Sequence, residues 1–135
     1  MIWIRKLFGR QKGQTLVELA LVLPIIILIL FGILEFGRIF HSYIVITNAA
    51  REGVRLGAVG KPDEEIISRI RETAPLYEVD TRLQVTRLEP DESARTSGLP
   101  MTVEITYDVE LVTPLFSSVL PNPVTLKSKA VMRVE

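Results

Sequence analysis

Cysteine is absent from the 135-residue chain. That excludes a disulfide framework and thiolate chemistry, and it leaves the redox compartment open. A single histidine offers little for a zinc site or a general base, so neither a metal nor a cofactor is expected. Net charge is missing as well: 16 basic and 16 acidic residues cancel, and no basic stripe marks a nucleic-acid partner. Carboxylates are plentiful, but none stands in a recognisable spacing with a nucleophile, a base or a phosphate-cradling glycine loop. The expectation is therefore no enzyme and no small-molecule substrate.

What the chain does have is apolar length. Apolar residues make up 47% of it, with the excess concentrated in the first third, the distribution of an anchored protein. A basic leader, residues 1–13, carries Arg5, Lys6, Arg10 and Lys12 and no acidic residue. A helix over about 16–36 would cover roughly 30 Å, enough for one membrane crossing. Only about 16 residues separate Glu18 from Glu35, short of the usual span, so at least one of these glutamates is expected at the interface or paired. The basic flank places the N-terminus in the cytoplasm and the C-terminus outside it. A removed secretory signal is disfavoured, because the apolar run is too long and no small-x-small site follows it. Glu18 costs about 2.5–3.5 kcal/mol at bilayer depth, which asks for a partner or a task; snorkelling to the headgroups is the plainer alternative.

Beyond the span no strong breaker occurs before Gly60-Lys61-Pro62, so one helix is expected from about Thr15 to Gly57. Ala49, Gly53 and Gly57 recur every four residues and line one face with small side chains, permitting close approach of this chain's own sheet or, less favoured, of another subunit. Pro24 removes one helical hydrogen bond and either kinks the helix or is simply tolerated in lipid. Glu35 and Arg38 read as a water-exposed pair, and His41, between Phe40 and Tyr43, reads as interfacial decoration.

After Pro62, Asp63-Glu64-Glu65 opens a second helix with Ile66, Ile67 and Ile70 as its stripe, and Pro75 ends it. Three strands follow by period-two alternation. The clearest runs from Met101 to Leu111; one begins with Val79, Thr81, Leu83 and Val85; the last carries Val124, Leu126, Ala130, Met132 and Val134. The fold class is α+β: a long N-terminal transmembrane helix leading to a small extracytoplasmic head with a second helix and a three-stranded antiparallel meander. The divisions are a leader 1–13, a long helix 14–60 and a head 61–135. Glu89 to Leu99 is polar and reads as an exposed, mobile loop. Thr113 to Pro123 is apolar, and Leu115, Phe116, Val119 and Leu120 either fold back on the core or form a partner patch.

Gly13-Gln14-Thr15-Leu16-Val17-Glu18-Leu19 resembles the class III signal of type IV pilin-like proteins. With Val17 to Pro24 and Asn48-Ala49-Ala50-Arg51-Glu52-Gly53-Val54-Arg55, the chain looks like the TadE-like family, minor pilins or pseudopilins of the tight-adherence (Flp) pilus system. Ala130 to Glu135 is similar to that family's ending. The resemblance implies a prepilin peptidase cut between Gly13 and Gln14, which makes Glu18 the fifth residue of the processed chain. It also implies that Glu18 pairs with the N-terminal amine of a neighbouring subunit during docking, and that a kink at Pro24 assists extraction or packing. The implied partners are the membrane, the prepilin peptidase and other pilin or pilus-assembly subunits. The implied location is the inner (cytoplasmic) membrane, single pass, with incorporation into an extracellular pilus. The alternative is a permanently anchored extracytoplasmic assembly or secretion factor that keeps its leader.

Overall fold

A computed structural model describes residues 10–135; the greater part of the expected leader lies outside the described residues. The first element is α1, Arg10–Ala58, helical without interruption through Pro24. It is long and apolar enough to cross a membrane once, and its most apolar stretch is wholly unburied, unlike the core helix of a soluble protein. A division into two compact units falls between Phe36 and Gly37.

α1 ends because Gly60 takes a positive φ of 77°. Its N–H donates to the Gly57 carbonyl (3.1 Å), while Lys61 N–H donates to Leu56 O (3.1 Å). This paired arrangement satisfies carbonyls that the last turn would leave bare, and a residue without Cβ enters it at no steric cost.

The rest of the unit 37–135 follows as α2 (Asp63–Thr73), a single helical turn α3 (Val79–Arg82), β1 (Leu83–Glu89), a 3-10 turn (Glu92–Ala94), β2 (Pro100–Val109), a second single turn α4 (Pro114–Ser117) and β3 (Val124–Arg133). The strands form one antiparallel sheet in the order β1-β2-β3, the meander that the alternation implied. On β2, Met101, Val103, Ile105, Tyr107 and Val109 are buried and the residues between them are half exposed. They share a core with Ile46, Ala49, Ala50 and Val54 of α1 and with Ile66 and Ile70 of α2.

The strand pattern fails at Val79 and Thr81, which belong to α3. Glu78 adopts a left-handed φ of 49°, and its carbonyl accepts the N–H groups of Thr81 (3.1 Å) and Arg82 (2.9 Å) and the Thr81 hydroxyl (3.1 Å). Local hydrogen bonds of this kind compete directly with strand pairing, so the sheet starts only at Leu83. Further along β1 the register slips between Val85 and Arg87; a bulge of this kind twists an edge strand and discourages further pairing.

On β3 the inward row includes Ser128, which the apolar pattern passed over. Ser128 is buried, and its hydroxyl donates to Thr47 Oγ1 on α1 (3.3 Å). Met132, expected on the inner face, is 41% exposed. Its cross-strand partner Met101 occupies the place against Gly57 instead, and Met132 is left on an edge strand.

The 89–99 segment is exposed over most of its length but not loose. The Arg95 side chain is only 2% exposed. It pairs with Asp63 and donates to the carbonyls of Lys61 (2.7 Å) and Pro90 (3.2 Å). Glu92 accepts the Asp63 N–H (3.2 Å), supplying from a distance the acceptor that the first turn of α2 lacks. A loop held by a buried guanidinium on three acceptors is fixed in place, contrary to the mobile reading.

Candidate functional site

Gly13 and Gln14 lie within α1, near its start. Gln14 Nε2 donates to Glu18 Oε1 at 3.1 Å, a pairing one helical turn long that gives the carboxylate a neutral partner from its own helix. Glu18 itself is exposed, as are the apolar side chains around it. Nothing within 4 Å would meet a side chain at Gly13. Pro24 sits in the helical run, where its missing N–H leaves the carbonyl one turn earlier without its usual donor.

The small-residue face lies entirely within the unit 37–135. Ala49 is fully buried. A Cβ at Gly53 would stand 2.6 Å from Ile70 Cδ1 and 2.7 Å from Ile70 Cγ1, and one at Gly57 would press on the Met101 thioether, with Sδ at 3.0 Å. These glycines let α1 approach α2 and β2 of its own chain.

Of the apolar-loop residues, Leu115 and Val119 are exposed, whereas Phe116 and Leu120 are half buried. The structure thus divides that group between the surface and the support beneath it. Glu35, read as half of a water-exposed pair, is buried, and the Arg38 guanidinium donates to the Glu110 carbonyl at 3.2 Å.

A charged cluster went unread in the sequence. Arg82 Nε donates to Glu78 Oε2 and its Nη2 to Glu110 Oε2, both at 2.8 Å, while its guanidinium carbon lies 5.2 Å from the centre of the Tyr77 ring. The Tyr107 hydroxyl donates to the Tyr77 carbonyl (2.9 Å). The Arg82 hydrogen bond holds the Glu78 carboxyl below the usual carboxylate range, and burial pushes the Tyr107 phenol above its ordinary value. Beside the cluster is an open cavity of about 250 Å³, whose lining includes Arg38, His41, Tyr77 and Arg82. Its arrangement clamps α3 to the end of β2. Among the described residues no group of three or more His, Asp or Glu side chains is placed to hold a metal ion.

The segment that carries Gly13, Glu18, the span and the first two residues of the small-residue face is also the one that compares with known proteins. Residues 13–55 match the TadE family, described as TadE-like protein. Over this stretch the chain is similar to TadE-like proteins. The matched segment opens on Gly13 and closes on Arg55, taking in Glu18, Pro24, Ala49 and Gly53; Gly57 and the sheet lie beyond it. No curated protein and no solved structure matches the chain.

Proposed function

We propose that the protein is a pilin-like structural or assembly subunit of a Tad (Flp) pilus, a pseudopilin or minor pilin cut by a prepilin peptidase between Gly13 and Gln14. The observation that carries this reading is the TadE match, which begins at Gly13 and continues through the apolar run to Arg55. In this reading the leader stays in the cytoplasm, α1 lies in the membrane until extraction, and the α+β head faces outward. The protein's part in chemistry is that of a substrate.

Cleavage gives Gln14 a new α-amino group four residues from Glu18. In the uncut chain Glu18 accepts a hydrogen bond from the neutral Gln14 amide. A cationic amine on a neighbouring subunit is a stronger partner in apolar surroundings, where an isolated carboxylate is costly. The peptide bond to be cut lies within a helix, so the start of α1 must unwind in the peptidase. Gly13 is the residue that weakens the helix there, by up to about 1 kcal/mol relative to alanine.

The test is the intact mass and N-terminal sequence of the protein from its native membrane, with and without a functional prepilin peptidase. The expected result is a start at Gln14 that depends on the peptidase, together with recovery of the chain in sheared fibres. Glu18→Ala is expected to leave cleavage intact and to reduce that recovery. An uncut start in both strains would favour the permanently anchored assembly or secretion factor.

A further inference from the structure

The geometry points to the apolar loop after β2 as a second membrane contact, seated in the headgroup and upper acyl region of the same bilayer that α1 crosses. Three observations within the unit 37–135 carry it.

The first is depth along the helix. Met101 lies against Gly57, and Arg38 holds the Glu110 carbonyl, so β2 runs back along α1. From Gly57 to Arg38 the helix covers about 28 Å, and from Met101 to Glu110 an extended strand covers about 30 Å. The two lengths agree, and the Ser128–Thr47 bond ties the sheet to the middle of this run. The chain leaves β2 beside Arg38, two residues past the end of the apolar run at Phe36.

The second is the contrast between the two strand connections. The connection between β1 and β2 is tied by Arg95 to Lys61 and Asp63, at the far end of the helix, and it is charged. The connection between β2 and β3 has no charged residue from Val112 to Pro123. Val112 is 72% exposed, Leu115 55% and Val119 80%. At one end of the sheet the surface suits water, and at the other it suits a lipid interface.

The third is that the loop is built and not merely greasy. Asn122 Oδ1 accepts the Leu111 N–H (3.0 Å) and closes its base. Thr113 O accepts the N–H groups of Phe116 and Ser117, and Phe116 O accepts that of Leu120 (2.8 Å). With its backbone groups tied internally, such a segment loses little hydrogen bonding when its tip enters an interface. Phe40 and Tyr43, exposed on the helix at similar depth, are residue types that favour the same zone.

The chain has no native cysteine, so single labels are unambiguous. Leu115→Cys, Val119→Cys and, on the opposite connection, Ser93→Cys are each labelled with an environment-sensitive fluorophore in the full chain. Each is reconstituted at high dilution in phosphatidylethanolamine–phosphatidylglycerol vesicles and read only in the floated fraction, which reports separately that α1 has inserted. The expected result is that nitroxide lipid labelled near the headgroup quenches positions 115 and 119 severalfold more than position 93, and that aqueous iodide shows the opposite order. Iodide access at 115 and 119 equal to that at 93 would overturn the proposal. So would protection that appears only as the protein-to-lipid ratio is raised, which would assign the patch to a second copy of the chain. Val112→Cys provides a further position if a label at 115 or 119 disturbs folding.

Discussion

Gly53 and Gly57 show how far a single missing methyl group decides the packing of α1. A glycine inside a helix costs up to about 1 kcal/mol relative to alanine, so each position sets that local loss against what an added Cβ would displace. At Gly53 the obstruction is the buried, β-branched Ile70, with two of its carbons within 2.7 Å. At Gly57 it is chiefly the flexible end of Met101, an unbranched side chain that readily takes another rotamer. Overpacking a core costs about 1–3 kcal/mol. Gly53→Ala is therefore expected to destabilise the head clearly, whereas the gain in helix propensity offsets most of the loss for Gly57→Ala. Thermal unfolding of the two variants in the same detergent gives the ranking. An equal or larger fall in Tm for Gly57→Ala would show that Met101 is the more rigid neighbour.

At the scale of elements, the parts legible in the sequence were those whose signal is local. The long helix, the second helix opened by Asp63-Glu64-Glu65 and the alternation on β2 each depend on neighbours a few residues apart, and each formed as read. What escaped depends on partners brought together by folding. Arg95 reaches across 32 positions to Asp63, and Arg82 across 28 to Glu110, and neither spacing leaves a mark in the chain. The helical turn at Val79–Arg82 escaped because an alternating pattern is blind to a left-handed residue placed just before it. Of the candidate site, the motif at Gly13 to Glu18 was readable from residue order alone, whereas the division of the apolar loop into exposed Leu115 and Val119 over half-buried Phe116 and Leu120 needed coordinates. The Arg95 tie yields a clear expectation at this scale. Arg95→Ala strips donors from the Lys61 and Pro90 carbonyls and from Asp63 and should cost about 1–3 kcal/mol. Arg87→Ala, which removes only an exposed pair with Glu89, should cost no more than about 1 kcal/mol. Urea midpoints of the two variants provide the comparison, and equal midpoints would mean that the 89–99 connection adds nothing to the stability of α2.

For the whole molecule, the question is where the folding unit begins. The chain changes character at Gly60-Lys61-Pro62, which suggests a head that starts there, but the core is built differently. Ile46, Ala49, Ala50 and Val54 belong to α1 and are buried with Ile66, Ile70 and the inner face of β2. The compact unit accordingly begins at Gly37. A three-stranded sheet with one short helix and no helix across its inner face leaves its apolar row open to water, and a domain of that size has little burial to spare. A chain of residues 37–135 is therefore expected to unfold cooperatively, with a midpoint close to that of the head in the full protein. A chain of residues 61–135 is expected to show no cooperative transition and to aggregate. Circular dichroism with urea titration of both fragments decides between the boundaries. A cooperative transition in the shorter fragment would mean that the outer part of α1 is a docked passenger. Its absence would make residues 37–58 one half of the head's core, so that this part of α1 cannot separate from the sheet without unfolding the head.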